Sequence, residues 1–149
     1  MTLVVGADNP HMEVDHSGCE VLARDECLRL LSTERLGRLG LHAGALPVIL
    51  PVGYAVVEDG IVVRTHDRSQ LYGATRGAVV AFEVDCPPGG EEVGWSVHVV
   101  GLAEEVTDPH ELTRLRALPL RQWGHVDSDR FVRISLQLVS GRRLSAAVV

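Results

Sequence analysis

Lysine is absent from this chain: all 14 basic residues are arginine. That excludes any mechanism built on a lysine nucleophile or Schiff base, and with it the phosphate loop that ends in Gly-Lys. Aromatic residues are scarce at 4%, and there are only 3 cysteines, Cys19, Cys27 and Cys86. An odd number so widely spaced argues against a disulfide framework. No run approaches the ~20 consecutive apolar residues that a membrane span needs. Met1 to Asn9 has neither the basic start nor the long apolar core of a secretion signal. Positive charge is also short, with a formal net charge of −6. Binding of duplex nucleic acid needs a basic footprint, so it is not expected. The expectation is a cytoplasmic protein with neither a nucleic-acid nor a membrane partner.

What is present is ordinary core material. Hydrophobic residues make up 46% of the 149 and charged residues 23%, enough for one domain that buries roughly 70% of its unfolded surface. Residues 1–23 are polar and aperiodic and read as a flexible leader, with a single domain over 24–149. His11, His16 and Cys19 match no familiar zinc spacing, so no metal is expected.

A short helix follows, with Asp25 and Glu26 in its first turn and Cys27, Leu30 and Leu31 on one face. From Arg38 the period changes to two. Leu39 and Leu41 alternate, and Val48 to Val57 is a long apolar run. Asp59-Gly60 then reads as a two-residue hairpin turn into Ile61-Val62-Val63. Ser69 caps a short helix that Gly77 closes. Ala78 to Val84 and Trp95 to Val106 are further strands, with Gly101 a bend. Asp108-Pro109-His110-Glu111 opens another helix with a cap, a first-turn proline and a capping-box glutamate. Phe131 to Val139 is the last strand. Strands joined mainly by hairpins, with helices at the corners, mean an antiparallel barrel or sandwich of the α+β class.

The chain has no Gly-x-Ser-x-Gly elbow and no His-Glu-x-x-His, and its carboxylates are dispersed. One constellation can carry chemistry. Arg64 and Thr65 end a strand, and Ser69 and Gln70 begin the next helix. A guanidinium, two hydroxyls and free helix amides could gather there around one phosphate. The plainer reading is an exposed arginine beside an ordinary serine cap.

Six strings in order carry a family resemblance. They are Leu36-Gly37-Arg38-Leu39-Gly40, Leu46 to Val52, Gly60 to Thr65, Val80 to Asp85, Gly94 to Gly101 and Ser140-Gly141-Arg142-Arg143-Leu144. Together they resemble the flavin-binding split-barrel proteins related to pyridoxamine 5'-phosphate oxidase, in their small actinobacterial form. The resemblance implies a mainly β, six-stranded antiparallel split barrel, a homodimer, and FMN in a groove between subunits. It implies that Arg64, Thr65, Ser69 and Gln70 hold the phosphate. Ile49, Leu50, Pro51, Val52 and Gly53 would line the flavin ring with backbone amides, and Ser96 would reach the ring edge. Trp95 and Trp123 either flank the groove or pack an interface.

Where the family commonly reads Gly-Thr-Lys or Gly-Ser-Lys, this chain has Arg68-Ser69-Gln70. That removes a charged contact worth roughly 1.5–3 kcal/mol unless Arg68 replaces it. The function implied is a flavin-dependent oxidoreductase acting on a small molecule. The alternatives are an F420-dependent reductase of the same fold, or a non-enzymatic flavin- or haem-binding dimer with a weak or empty site.

Overall fold

A computed structural model describes residues 13–89, 93–120 and 129–144. Its strands form where the period-two pattern runs. In β1 (Leu36–Ala43), Leu39 and Leu41 are buried while Arg38 and His42 stay exposed, the alternation a pleated strand imposes on its side chains. The others are β2 (Leu46–Val57), β3 (Gly60–Thr65), β4 (Ala78–Cys86), β5 (Gly94–Glu105), β6 (Arg130–Ser135) and β7 (Leu138–Leu144).

The sheet runs β4-β1-β2-β3-β6-β5, and β5 pairs back to β4. Six antiparallel strands therefore close a barrel, the architecture expected of a split barrel. β7 is an addition on β5. It pairs with Gly94 to Val100, whereas β6 pairs with Ala103 to Glu105 on the same edge. Between the two stretches lies Gly101, where a Cβ would stand 1.8 Å from the Ser135 carbonyl oxygen. Only glycine lets the end of β6 pass so close to β5.

The barrel interior holds Leu39, Ile61, Val97, Val99 and Ile134, all fully buried. Each is worth roughly 1.5–3 kcal/mol relative to exposure. Tyr54 meets Phe82 edge-on at 4.9 Å between centroids. Helix α1 (Arg24–Leu31) buries Cys27, Leu30 and Leu31 against this core. Helix α2 (Gln70–Thr75) buries Leu71 and Thr75. Outside the barrel, α3 (Pro109–Arg116) buries Leu115 in a second cluster with Val62, Val106 and Phe131.

Four sequence expectations need correction. The last strand is two strands, β6 and β7, parted at Leu136 and Gln137. The hairpin turn is Glu58-Asp59, with Glu58 at φ +51°, and Gly60 is the first residue of β3, opposite Val57. Gly60 is needed for a close approach instead: a Cβ there would lie 2.7 Å from Arg133 Cγ on β6. At α3, Asp108 caps His110 and Glu111 through their amides at 2.8 and 3.1 Å, but the Glu111 side chain pairs with Arg133 and does not close a capping box.

The fourth concerns the expected leader, which was drawn too long. Residues 13–22 are tied to β7: Leu22 N donates to Gly141 O at 2.9 Å and Arg143 N to Glu20 O at 3.0 Å. Asp15 pairs with Arg142 at 3.0 Å and Glu20 with Arg143 at 3.2 Å. Backbone pairing of this kind needs no hydrophobic period, so the sequence does not announce it. Among the described residues no helix is long and apolar enough to cross a membrane.

Candidate functional site

The site starts where two strands part. β2 pairs with β3 only from Tyr54↔Val63 to Val57↔Gly60. Beyond Tyr54 the register would set Gly53 against Arg64 and Val52 against Thr65, yet β3 is paired there with β6 alone. From Leu46 to Gly53, β2 keeps β1 on one side and no strand on the other among the described residues. This is the split in the barrel.

The backbone chemistry of that free edge can be read from the chain. Tyr54 N turns to the β1 side, donating to Arg35 O at 3.1 Å. Alternation then turns the backbone groups of 47, 49, 51 and 53 to the open edge. Pro47 and Pro51 have no N–H, which is tolerable only on an edge. Ile49 and Gly53 are left as the two amide donors. Of the residues expected to line a ring, Ile49 and Pro51 have exposed side chains, Leu50 is half-buried, and Val52 and Gly53 are buried.

Across the gap stands the end of β3 with α2. Ser69 caps α2 by accepting from Tyr72 N at 2.9 Å, and its hydroxyl lies 2.6 Å from that of the buried Thr65. Thr65 and Ser69 are therefore brought together as expected. Gln70 and Arg68 are exposed beside them.

Arg64 is not brought to that pair. Side chains alternate along a strand, and antiparallel partners share a face. Arg64 is opposite Phe131, with its guanidinium carbon 5.4 Å from the Phe131 ring centroid, on the α3 side of the sheet. Thr65 is opposite Arg130 and shares the other face.

Arg130 is the residue the sequence reading missed. Its Nη1 donates to Glu105 Oε1 at 3.1 Å, and its guanidinium carbon lies 5.7 Å from the centroid of the Tyr72 ring. Tyr72 Oη donates to Glu105 Oε2 at 2.9 Å, and Arg76 lies over the same ring at 5.2 Å. Two polar atoms flanking Thr65 are sealed from solvent without a hydrogen-bond partner: His66 Nδ1 and Arg130 Nε. A buried group left unpaired costs about 1–3 kcal/mol; Arg130 Nε has the Asp129 carboxylate 3.9 Å away, whereas no hydrogen bond reaches His66 Nδ1.

Trp95 and Ser96 lie elsewhere. Trp95 is buried in the barrel core. Ser96 faces outward opposite Asp85 and Arg142, 3.4 Å from His98 Nε2. From Ser96 to Glu105 is ~30 Å of extended strand, so one subunit does not bring them to Thr65 and Ser69. Trp123 lies outside the described residues. Among the described residues no three His, Cys, Asp or Glu side chains gather as a metal would require; His11 lies outside them.

A cavity of about 200 Å³ beside α1 is lined by Leu31, Glu34, Arg35 and Tyr54 among others. Tyr54 donates its hydroxyl to Leu31 O at 2.5 Å, and burial, with Glu34 nearby, pushes its phenol far above the usual range. It is a structural anchor and not an acid for catalysis.

Comparison with known proteins agrees with this architecture. The family model described as pyridoxamine 5'-phosphate oxidase matches residues 23–143. An uncharacterised protein of Mycobacterium tuberculosis is 38% identical over 130 residues, covering 84% of this chain and 85% of that relative. The solved structure of the FAD binding protein from Mycobacterium smegmatis superposes with a TM-score of 0.72 at 28% identity, over 85% of this chain and 98% of that one. A FAD-binding protein from Mesorhizobium loti gives 0.68 at 25% identity, over 86% and 98%. With its closed six-stranded barrel, its split edge and this match over most of its length, the chain belongs to the pyridoxamine 5'-phosphate oxidase family.

Proposed function

We propose that this protein binds a flavin nucleotide in the gap between the free edge of β2 and the β3–α2 corner, and uses it as an oxidoreductase on a small molecule. The observation that carries this reading is the parting of β2 from β3 at Tyr54. It sets two backbone donors, Ile49 and Gly53, across from the Thr65–Ser69 hydroxyl pair, with Arg130 as the register partner of Thr65. The amides suit the carbonyl and ring-nitrogen acceptors of a flavin ring, and the polar corner suits a phosphate. FMN, with one phosphate, is the smallest ligand that uses both. Two relatives named as FAD-binding support a flavin with a longer tail as well. The bound flavin would supply the hydride chemistry at its ring, and the protein would orient it and exclude water.

We further propose a homodimer. The outer face of the sheet carries a row of Ile49, Gly40, Ala81, Val100 and Leu138 in register across five strands. Ile49, Leu138 and the neighbouring Val79 are among the most exposed large apolar residues of the chain. The row borders the split edge, so a second copy would cover apolar surface and close the groove together. Ser96 would then have a route to the ring from the other subunit. A long polyglutamate tail, as on F420, wants a basic groove, and this acidic chain offers few candidates for one beyond Arg35, Arg38 and Arg68.

The test is direct. Purified protein should be yellow, with absorbance near about 450 nm from flavin, and light scattering should return twice 16.1 kDa. If the protein is colourless and unaffected in melting temperature by FMN or FAD, the reading fails. Bound flavin that no nicotinamide donor or substrate reduces would leave a binding protein without turnover.

A further inference from the structure

Gln70 leaves the hydroxyl pair without the charge that a phosphate needs, and Arg64 belongs to the other face of the sheet. A different arginine fills that place. We infer that Arg130 is the phosphate-binding cation of the groove, held ready by Tyr72 and Glu105; this rests on the flavin reading above.

Four observations carry the inference. Arg130 is the register partner of Thr65, so the two share a face at the mouth of the barrel. Its side chain is 43% exposed, which leaves the guanidinium accessible to a ligand. It is also fixed: Glu105 Oε1 accepts from Nη1 at 3.1 Å, and the Tyr72 ring lies 5.7 Å away. Tyr72 in turn donates its backbone N–H to Ser69 Oγ, so the group that braces Arg130 also braces the serine.

The fourth observation concerns charge. Glu105 is shared by two guanidiniums, with Arg76 Nε at 3.9 Å on its other oxygen. The enclosed carboxylate serves two arginines, and the second carboxylate at hand, Asp129, lies 3.9 Å from Arg130 Nε and is 75% exposed, so solvent screens the charge it offers. An Arg fork with one face held and another open matches the paired oxygens of a phosphate better than a lysine would. Arg130 Nε makes no hydrogen bond and has the Asp129 carboxylate 3.9 Å away, so it is the exposed part of the guanidinium that a phosphate would meet.

The experiment uses three probes that share a ring and differ in phosphate: riboflavin, FMN and FAD. Each is titrated against the full chain, Arg130→Gln and Arg130→Lys by quenching of flavin fluorescence, with circular dichroism as the control for folding. Arg130→Gln should weaken FMN and FAD about tenfold or more and leave riboflavin within about twofold. Arg130→Lys should recover part of the loss, because it restores the charge without the fork. A variant that binds FMN and FAD as the parent does overturns the inference. So does equal weakening of all three ligands, which marks a structural role. A parent chain that binds none of the three removes the flavin reading itself, and the inference falls with it.

Discussion

Arg130 and Arg133 stand three residues apart on β6, each facing a carboxylate and each with a sealed Nε that makes no hydrogen bond. Their surroundings differ because three residues along a strand is an odd step, which turns the two side chains to opposite faces. Arg133 faces α3. It pairs with Glu111, the two side chains are only 25% and 20% exposed, and its methylenes fill the space a Cβ on Gly60 would need. Arg130 faces the split end of the barrel, is 43% exposed, and shares its carboxylate with a second arginine. One arginine is consumed by packing and the other keeps an open side. Residue type and partner type are the same, so exposure separates a structural ion pair from a candidate ligand site.

The largest expected effect falls on the packed arginine. Arg133→Ala strands Glu111 in a poorly solvated position and empties the space beneath α3. It should cost about 2–3 kcal/mol, or a melting temperature lower by roughly 6–9 °C. Flavin binding should be unchanged, and a loss of binding would erase the distinction between the two sites. Gly60→Ala comes next, at about 1–2 kcal/mol, because its methyl must displace the Arg133 side chain. The two changes should not add: with Arg133 shortened the methyl has room, so the double variant should cost less than the sum of the singles. Strict additivity in denaturant titrations would mean that Gly60 is needed for some other reason.

Arg130→Gln should cost less than about 1 kcal/mol in the absence of ligand, since its pair is partly exposed. A loss as large as that of Arg133→Ala would break the comparison. The smallest effect concerns a third arginine–carboxylate pair, which ties α1 to β7. Hydrogen bonds from Arg29 and then Arg143 hold the Glu26 carboxyl at about 2, below its ordinary value of 4.5. A depressed carboxyl contributes stability above its unfolded value and loses it as pH falls. The Glu26 contribution should therefore be complete above about 4.5 and fade toward about 2. Acid titration of the melting temperature should show a shallower decline over that window in Glu26→Gln. Identical acid profiles would contradict the assignment.

Much of the fold was legible because its signals are local. The valine-rich alternation marked the strands, Ser69 and Asp108 marked the helix starts, and both serve as caps in the structure. The split of the last strand was not legible, because Ser135-Leu136-Gln137 carries no glycine or proline to announce a break. The hairpin was placed one residue late because Gly60 looked like a turn residue, although a neighbouring side chain is what demands it.

The site was half legible for a related reason. Thr65 and Ser69 are close in sequence and close in space. Arg64 was grouped with them as a chain neighbour, yet adjacency along a strand means opposite faces. Arg130 could not be found by spacing, because only the β3–β6 register sets it beside Thr65. The open edge of β2 did leave one trace: Pro47 and Pro51, two residues that a doubly paired strand would not accept.

The central claim is that the flavin phosphate sits on the Thr65–Ser69–Arg130 face of the split. The measurement that tests it most directly is a crystal structure of the protein with FMN bound. The account expects phosphate oxygens within hydrogen-bond distance of Thr65 Oγ1 or Ser69 Oγ and of the Arg130 guanidinium, with the flavin ring along Ile49 to Gly53. A phosphate found on the Arg64–Phe131 face, or away from α2 altogether, would contradict it.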